Sequence, residues 1–267
     1  MADTLVELPP SPPARFEQMK SMSLLEHLEE LRRRLIYSAV AVMAAFFLCW
    51  NYAPRIFHYM QEPIIQALHK NKMEETLIYT NPIDPFNLYL KIGLIAGIFL
   101  ASPFVLYQVW LFISPGLYRH EKRYVVPFMC STVGLFVAGG LFGYKMVYPG
   151  ALDFLIGYGS QFKPLITINE YTNLFATIIL GLGIVFELPI LVFFLAMMGL
   201  VSAGWLWRNI RYSILVIFII AGIITPTTDI LSMCIFAAPM VGLYFVSIGV
   251  AWLVHPSRRK KARAQAV

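Results

Sequence analysis

The sequence is poor in charge: Asp, Glu, Lys and Arg make up only 13% of its 267 residues, against 58% hydrophobic residues. Its mean hydropathy is +0.67. A water-soluble domain this apolar would expose patches that drive association, so a soluble globular domain is excluded. Cysteine is scarce as well. Cys49, Cys130 and Cys234 lie in apolar surroundings without paired spacing, which excludes a disulfide framework or a cysteine metal site. The motifs of common enzymes are missing: there is no Walker glycine loop, no HExxH and no GxSxG. His27, His58, His69, His120 and His255 are scattered without ligand spacing. The chain is therefore not read as an enzyme, and no cofactor or metal is expected. The N-terminus also lacks the short apolar core of a signal peptide, carrying instead Asp3, Glu7 and prolines at 9, 10, 12 and 13.

What is present is a series of apolar runs. Six can be drawn, at Ile36–Tyr52, Phe86–Ile113, Val125–Val147, Leu174–Leu200, Tyr212–Ile224 and Ile230–Val254. Most reach the roughly 20 residues that cross a bilayer core. The fifth is stopped early by Pro226 and is short; the sixth is a candidate for the same. Fifteen of the 21 lysines and arginines fall on the side that holds both termini and loops 114–124 and 201–211; five fall on the other, and Lys91 lies within the second run. The positive-inside rule makes the first side cytoplasmic. The net charge of +6 is thus a consequence of topology and implies no nucleic-acid partner. Trp50, Tyr52, Trp110, Trp205, Trp207 and Trp252 near the ends of runs read as an aromatic belt. The expectation is an all-α integral membrane protein of six transmembrane helices with both termini cytoplasmic. Residues 1–20 read as a disordered lead, 21–255 as one membrane domain with outer loops at about 53–85 and 148–170, and 256–267 as a basic tail. "ALDFLIGY" in the second outer loop reads as a helix lying flat as an outer cap.

With so few charges, acids in apolar company carry the information. "SLLEHLEELRRRLI", Ser23 to Ile36, reads as an amphipathic helix with a Ser23–Glu26 capping box. Its simplest account is i,i+4 pairing of Glu29 and Glu30 with Arg33 and Arg34. Glu121 is the sole acid of the basic loop "SPGLYRHEKRY". If Glu30 and Glu121 converge, two carboxylates can each take a guanidinium in a bidentate fork that lysine cannot copy. Glu187, in "GLGIVFELPILVFF", stands near the middle of the fourth run, where a charge costs about 2.5–3.5 kcal/mol on insertion scales. A carbonyl freed by Pro189 is one partner for it; a functional intramembrane acid is the other reading. In "ITPTTDI", Pro226 ends one helix and Asp229 fits the N-cap of the next. Lys91 reads as snorkelling to the outer surface.

Several of these segments together resemble the TatC family, the multispanning receptor subunit of the twin-arginine protein translocase. "HLEELRRRL" matches the family's N-terminal motif, and "ASPFVLYQVWLFISPGLYRHEKR", Ala101 to Arg123, its most characteristic block. "FELPI", "TPTTDI" and Pro63 fall at expected places, so the resemblance runs from about Leu24 to Trp252. It implies binding of twin-arginine signal peptides on folded cargo and export driven by the proton-motive force. It implies that Glu30 and Glu121 contact the signal arginines, with Arg32, Phe112, Pro115 and Arg123 at neighbouring family positions. It implies that Glu187 faces a hollow where the single-span partners TatA and TatB dock, with Thr225 and Asp229 at the outer end of the neighbouring docking region. Pro63 and Pro226 are structural in this reading. Where many family members carry a glutamine in the last span, this chain has Met233, with Ser232 as the neighbouring polar residue. The resemblance also implies oligomers and a prokaryotic cytoplasmic membrane; lipid is the remaining partner. The main rival is a proton-coupled small-molecule transporter using Glu187; a structural scaffold is the second.

Overall fold

The computed structural model describes residues 24–74, 76–113, 125–159, 162, 164–197, 199–225 and 230–264. Eleven α-helices and one π-helical turn make up its described regular structure, the α-helices being α1 (Leu24–Trp50), α2 (Ala53–Met60), α3 (Glu62–Lys70), α4 (Asp84–Ile113), α5 (Val125–Phe142), α6 (Tyr148–Tyr158), α7 (Ile168–Val185), α8 (Leu188–Met197), α9 (Ala203–Arg208), α10 (Ile210–Ile224) and α11 (Ile230–Ala264). Among the described residues, five apolar spans are long enough to cross a bilayer: Leu25–Trp50, Asp84–Phe112, Met129–Tyr158, Ile168–Met197 and Met233–Leu253. The sixth apolar rod is α10, whose 15 residues reach only about 22 Å at ~1.5 Å per residue, against a core of about 30 Å. The fold is thus the all-α membrane architecture expected, with a short fifth rod. The last span is not shortened: its apolar window runs 21 residues inside a 35-residue helix.

Helix pairing follows small residues. α1 packs most extensively on α4. Gly93, Gly97 and Ala101 repeat every four residues along α4, a small-xxx-small stripe that lets two backbones approach. The approach is closest at Gly97, where a Cβ would stand 2.8 Å from the Phe46 nitrogen and 2.9 Å from its Cα. α5 packs on α7, and α11 lies against both α8 and α10. α7 and α8 are one span broken at Phe186–Glu187, two residues before Pro189, whose missing N–H ends the i→i−4 ladder there.

At the end of the bundle away from the start of α1, the outer segments fold into a cap. Pro54 and Pro63 each sit in the first turn of a short helix, where a missing N–H costs nothing. Pro63 is fully within the core of this cap, beside Ile64 and Leu68. Residues 76–78 and 165–168 meet in one parallel bridge, with Ile78 donating to the Ile166 carbonyl at 3.0 Å and Ile168 donating to the Ile78 carbonyl at 2.8 Å. The Tyr171 hydroxyl donates to the Met60 carbonyl, and Tyr144 donates to Tyr59 at 2.7 Å.

"ALDFLIGY" does not form a separate helix lying flat. It is the end of a helical run that continues from α5 through a π-helical turn, Gly143–Val147, into α6. The widened turn absorbs Pro149, which stands in the first turn of α6 and would otherwise clash with the preceding one. Lys70 on α3 ion-pairs with Asp153 on α6 at 2.6 Å, so the cap closes on this extended rod.

Candidate functional site

The first candidate lies on the α1–α4 seam, where α1 begins and α4 ends. Helical spacing puts His27, Glu30 and Arg34 on one stripe of α1, and Gln108 and Phe112 one turn apart on α4. The two stripes meet. The His27 and Phe112 rings stack with centroids 4.3 Å apart and planes 16° from parallel. Arg34 donates from Nη2 to Glu30 Oε1 at 3.0 Å and from Nη1 to Gln108 Oε1 at 3.1 Å. Both members of the ion pair are largely covered, the Glu30 side chain being 11% exposed and that of Arg34 20%. Two of their atoms are buried without a hydrogen-bond partner: Glu30 Oε2 and Arg34 Nε. Beside the pair opens a groove of about 490 Å³ whose described wall is Glu26, Glu29, Glu30, Arg32, Arg33, Ile36 and Tyr37. Its chemistry is a carboxylate with one unpartnered, covered oxygen beside a charged groove, suited to a cationic guest that brings its own hydrogen-bond donors.

Of the two i,i+4 pairs read from the sequence, Glu30–Arg34 forms. Glu29 and Arg33 are exposed and make no ion pair with each other. Ser23, the proposed cap, lies outside the described residues.

The second candidate surrounds Glu187, at the α7–α8 break. A hollow of about 170 Å³ is walled by Leu106, Val109 and Trp110 of α4, Thr132 of α5, Glu187 itself, and Ile190, Leu191 and Phe194 of α8. Glu187 Oε1 is buried there and makes no hydrogen bond. Trp110, read from the sequence as part of an interfacial belt, is instead buried in this wall. Trp205, Trp207 and Trp252 are exposed, as a belt requires. The Glu187 carbonyl accepts from both Ile190 and Leu191, at 3.1 and 2.9 Å, and so starts α8.

The matches to known proteins bear on both places. The family model described as "Sec-independent protein translocase protein (TatC)" matches residues 26–239. The chain belongs to the TatC family. A TatC of Koribacter versatilis is 67% identical over 247 residues, covering 92% of this chain and 91% of that one. The TatC of Aquifex aeolicus is 37% identical over 243 residues, covering 90% and 98%. A crystal structure titled as the twin arginine translocase receptor TatC superposes with a TM-score of 0.77 at 34% identity, covering 86% of this chain and all of that one. A second crystal structure of that receptor, in the detergent DDM, gives the same TM-score at 35% identity.

Within this TatC fold the expected site residues divide into four groups. Glu30, Arg32 and Phe112 gather at the α1–α4 seam: Glu30 and Arg32 line the groove, and Phe112 stacks on His27 one turn before Glu30. Glu121, Pro115 and Arg123, like Pro226 and Asp229, lie outside the described residues. Glu187 stands apart in its own hollow. Thr225 is buried at the C-terminus of α10, donating to the Ala221 carbonyl at 2.9 Å, which satisfies a helix-end acceptor. Met233 packs back on α10: a Cβ on Gly222 would stand 3.1 Å from its Cε. Lys91 does not reach freely to the surface. Its amine donates to Asn169 at 3.2 Å and Asn173 at 2.8 Å on α7, and Asn169 in turn donates to buried Asp84 at 2.6 Å.

The sequence reading missed Gln108. It lies inside the most characteristic family block but, as a neutral amide in an apolar helix, it attracts less notice than the acids. A buried glutamine four residues before an aromatic on the same face is the signal that marks it.

Proposed function

We propose that the chain is the receptor and core subunit of a twin-arginine translocase in a prokaryotic cytoplasmic membrane. It binds twin-arginine signal peptides of folded proteins and helps export them with the proton-motive force. Both termini face the cytoplasm, so the α1–α4 seam opens where cargo arrives. TatA- and TatB-type single-span subunits are its partners, with Glu187, Thr225 and Asp229 on the surfaces they use.

The observation that carries this reading is Glu30. A carboxylate 11% exposed, with one oxygen buried and unpartnered, stands beside a groove at the helix terminus that matches the family's N-terminal motif. Leaving such an oxygen orphaned costs about 1–3 kcal/mol or more, which a helix gains nothing from unless a guest supplies the missing donor. Glu121 supplies the second carboxylate of the site, with Pro115 and Arg123 flanking it. The transporter reading finds less support. The Glu187 hollow, at about 170 Å³, falls below the roughly 300–1,000 Å³ of small-molecule sites, and apart from Glu187 and Thr132 its wall is apolar.

The test is binding of a twin-arginine peptide and its Lys-Lys counterpart to the detergent-solubilised chain, with wild type, Glu30→Ala and Glu121→Ala compared. The arginine peptide binds more tightly to wild type, and each alanine variant loses that preference. Equal binding of the two peptides to wild type sinks the receptor reading.

A further inference from the structure

The Glu30 carboxylate is already half occupied, and by an arginine. Arg34 brings one outer nitrogen to Glu30 Oε1 and the other to Gln108 Oε1, and makes the two-pronged fork with neither. Its Nε and Glu30 Oε2 are both left buried and unpaired. Arg34 thus goes without the bidentate contact that is strongest for a guanidinium. Glu30 and Arg34 ride on α1, whereas Gln108 rides on α4 and is 5% exposed, so the amide is fixed where it stands. Glu30 Oε2 is unpaired but covered, so a guanidinium reaches it only as the side chains around it shift. The arriving group gains the bidentate contact only when Arg34 lets go of Oε1.

We infer that Arg34 is an internal stand-in for the signal arginine, and that Gln108 is the positioning residue that receives Arg34 when a peptide displaces it. The inference rests on the receptor reading above. In the empty receptor Arg34 neutralises Glu30, which keeps a buried carboxylate from standing alone. When the peptide binds, Arg34 turns to Gln108, so its charge is never stripped of acceptors. A lysine, with a single point of charge, cannot match the fork and displaces Arg34 poorly. The exchange of one arginine for another thus sharpens the choice of Arg over Lys.

The test is a double-mutant cycle on the full chain in detergent, read as affinity for a fluorescent twin-arginine peptide and for its Lys-Lys form. Arg34→Gln removes the competitor; the arginine peptide tightens and the preference over the lysine peptide narrows. Gln108→Leu leaves Arg34 with Glu30 alone, and arginine-peptide affinity falls about tenfold, the worth of one hydrogen bond to a charged group. In the Arg34→Gln background, Gln108→Leu changes nothing, because the residue acts only through Arg34. Gln108→Glu, which preserves shape and polarity, covers the case in which the leucine variant does not fold. It draws Arg34 away and tightens the arginine peptide, again only when Arg34 is present. If Gln108 variants shift affinity equally with and without Arg34, the amide touches the peptide or only supports the fold, and the inference is overturned. Weaker binding by Arg34→Gln overturns it as well. Loss of the receptor reading shows separately, as wild type that does not prefer the arginine peptide or Glu30→Ala that binds like wild type, and it removes the inference with it.

Discussion

Gly97 of α4 and Phe46 of α1 approach so closely that a Cβ on the glycine would stand 2.8 Å from the phenylalanine nitrogen. The neighbour is backbone, which cannot swing aside as a side chain does. Gly97→Ala therefore pushes α1 off α4, and overpacking of this kind costs about 1–3 kcal/mol. Gly134, on α5, has open space where its Cβ would go. Gly134→Ala is expected to be neutral or slightly stabilising through helix propensity. Thermal unfolding of the two variants in the same detergent checks the contrast. Equal midpoints would mean that the α1–α4 seam yields, and that the Arg34–Gln108 contact one end of it holds is not fixed.

The outer cap holds two kinds of polar contact that should differ in worth. Asp84 is 5% exposed and accepts from the Thr80 and Asn81 amides at 3.2 and 2.9 Å and from Asn169 at 2.6 Å. Asp84→Ala orphans these donors and frees the Lys91 relay behind Asn169, so a loss near 3 kcal/mol is expected, at about 1.5–3 kcal/mol for bonds to a charged group. The Lys70–Asp153 pair is as short as the shortest of the Asp84 contacts, at 2.6 Å, but its lysine is 69% exposed. Lys70→Ala is expected to cost less than ~1 kcal/mol, because water screens the pair. Denaturation of both variants settles the order. A larger loss for Lys70→Ala would show that the α3–α6 clasp, and not the Asp84 network, holds the cap.

How much of this was legible beforehand varied with the range of the interaction. Glu30–Arg34 follows from a four-residue spacing, and the short α10 from where Pro226 falls. The span count follows from hydropathy. Pro54 and Pro63 fall in the segment read as an outer loop, yet each stands in the first turn of a helix, where a proline's missing N–H is harmless. The extension of α5 into α6 was hidden because Pro149 looks like a stop unless a π-turn precedes it. Contacts between distant helices were beyond local patterns. Gly93, Gly97 and Ala101 form a visible small-residue stripe, but nothing in the stripe names Phe46 as its partner. Gln108 and Lys91 likewise take their meaning from helices far away in sequence.

The cap also carries a buried hydroxyl with one task. Tyr171 donates to the Met60 carbonyl and is 2% exposed. Tyr171→Phe keeps the ring among Tyr148 and its neighbours but orphans the carbonyl at the end of α2. A loss of about 1–3 kcal/mol is expected, with no change in peptide binding at the far end of the bundle. Thermal unfolding together with arginine-peptide affinity checks both halves. A weakened affinity would mean that the cap and the seam are coupled through α4 and α7.

Glu187 offers the sharpest separation of stability from function. Its Oε1 is buried without a partner, and its hollow is otherwise apolar apart from Thr132. Were it a structural hydrogen-bonding group, Glu187→Leu would break its bonds and destabilise the chain. The orphaned oxygen argues the reverse. Leucine removes an unsatisfied polar group and fills the same space, so the isolated chain is expected to keep its stability or gain about 1 kcal/mol. Glu187→Gln keeps polarity without the acid. If Glu187 lies on a surface that a partner's span uses, as proposed, and meets a polar group there, export of folded cargo falls strongly with leucine and less with glutamine, while peptide binding at Glu30 is untouched. Thermal unfolding of the purified variants and an export assay in cells separate these effects. A leucine variant that unfolds readily would return Glu187 to the fold and leave the docking surface to be sought at α10 and α11.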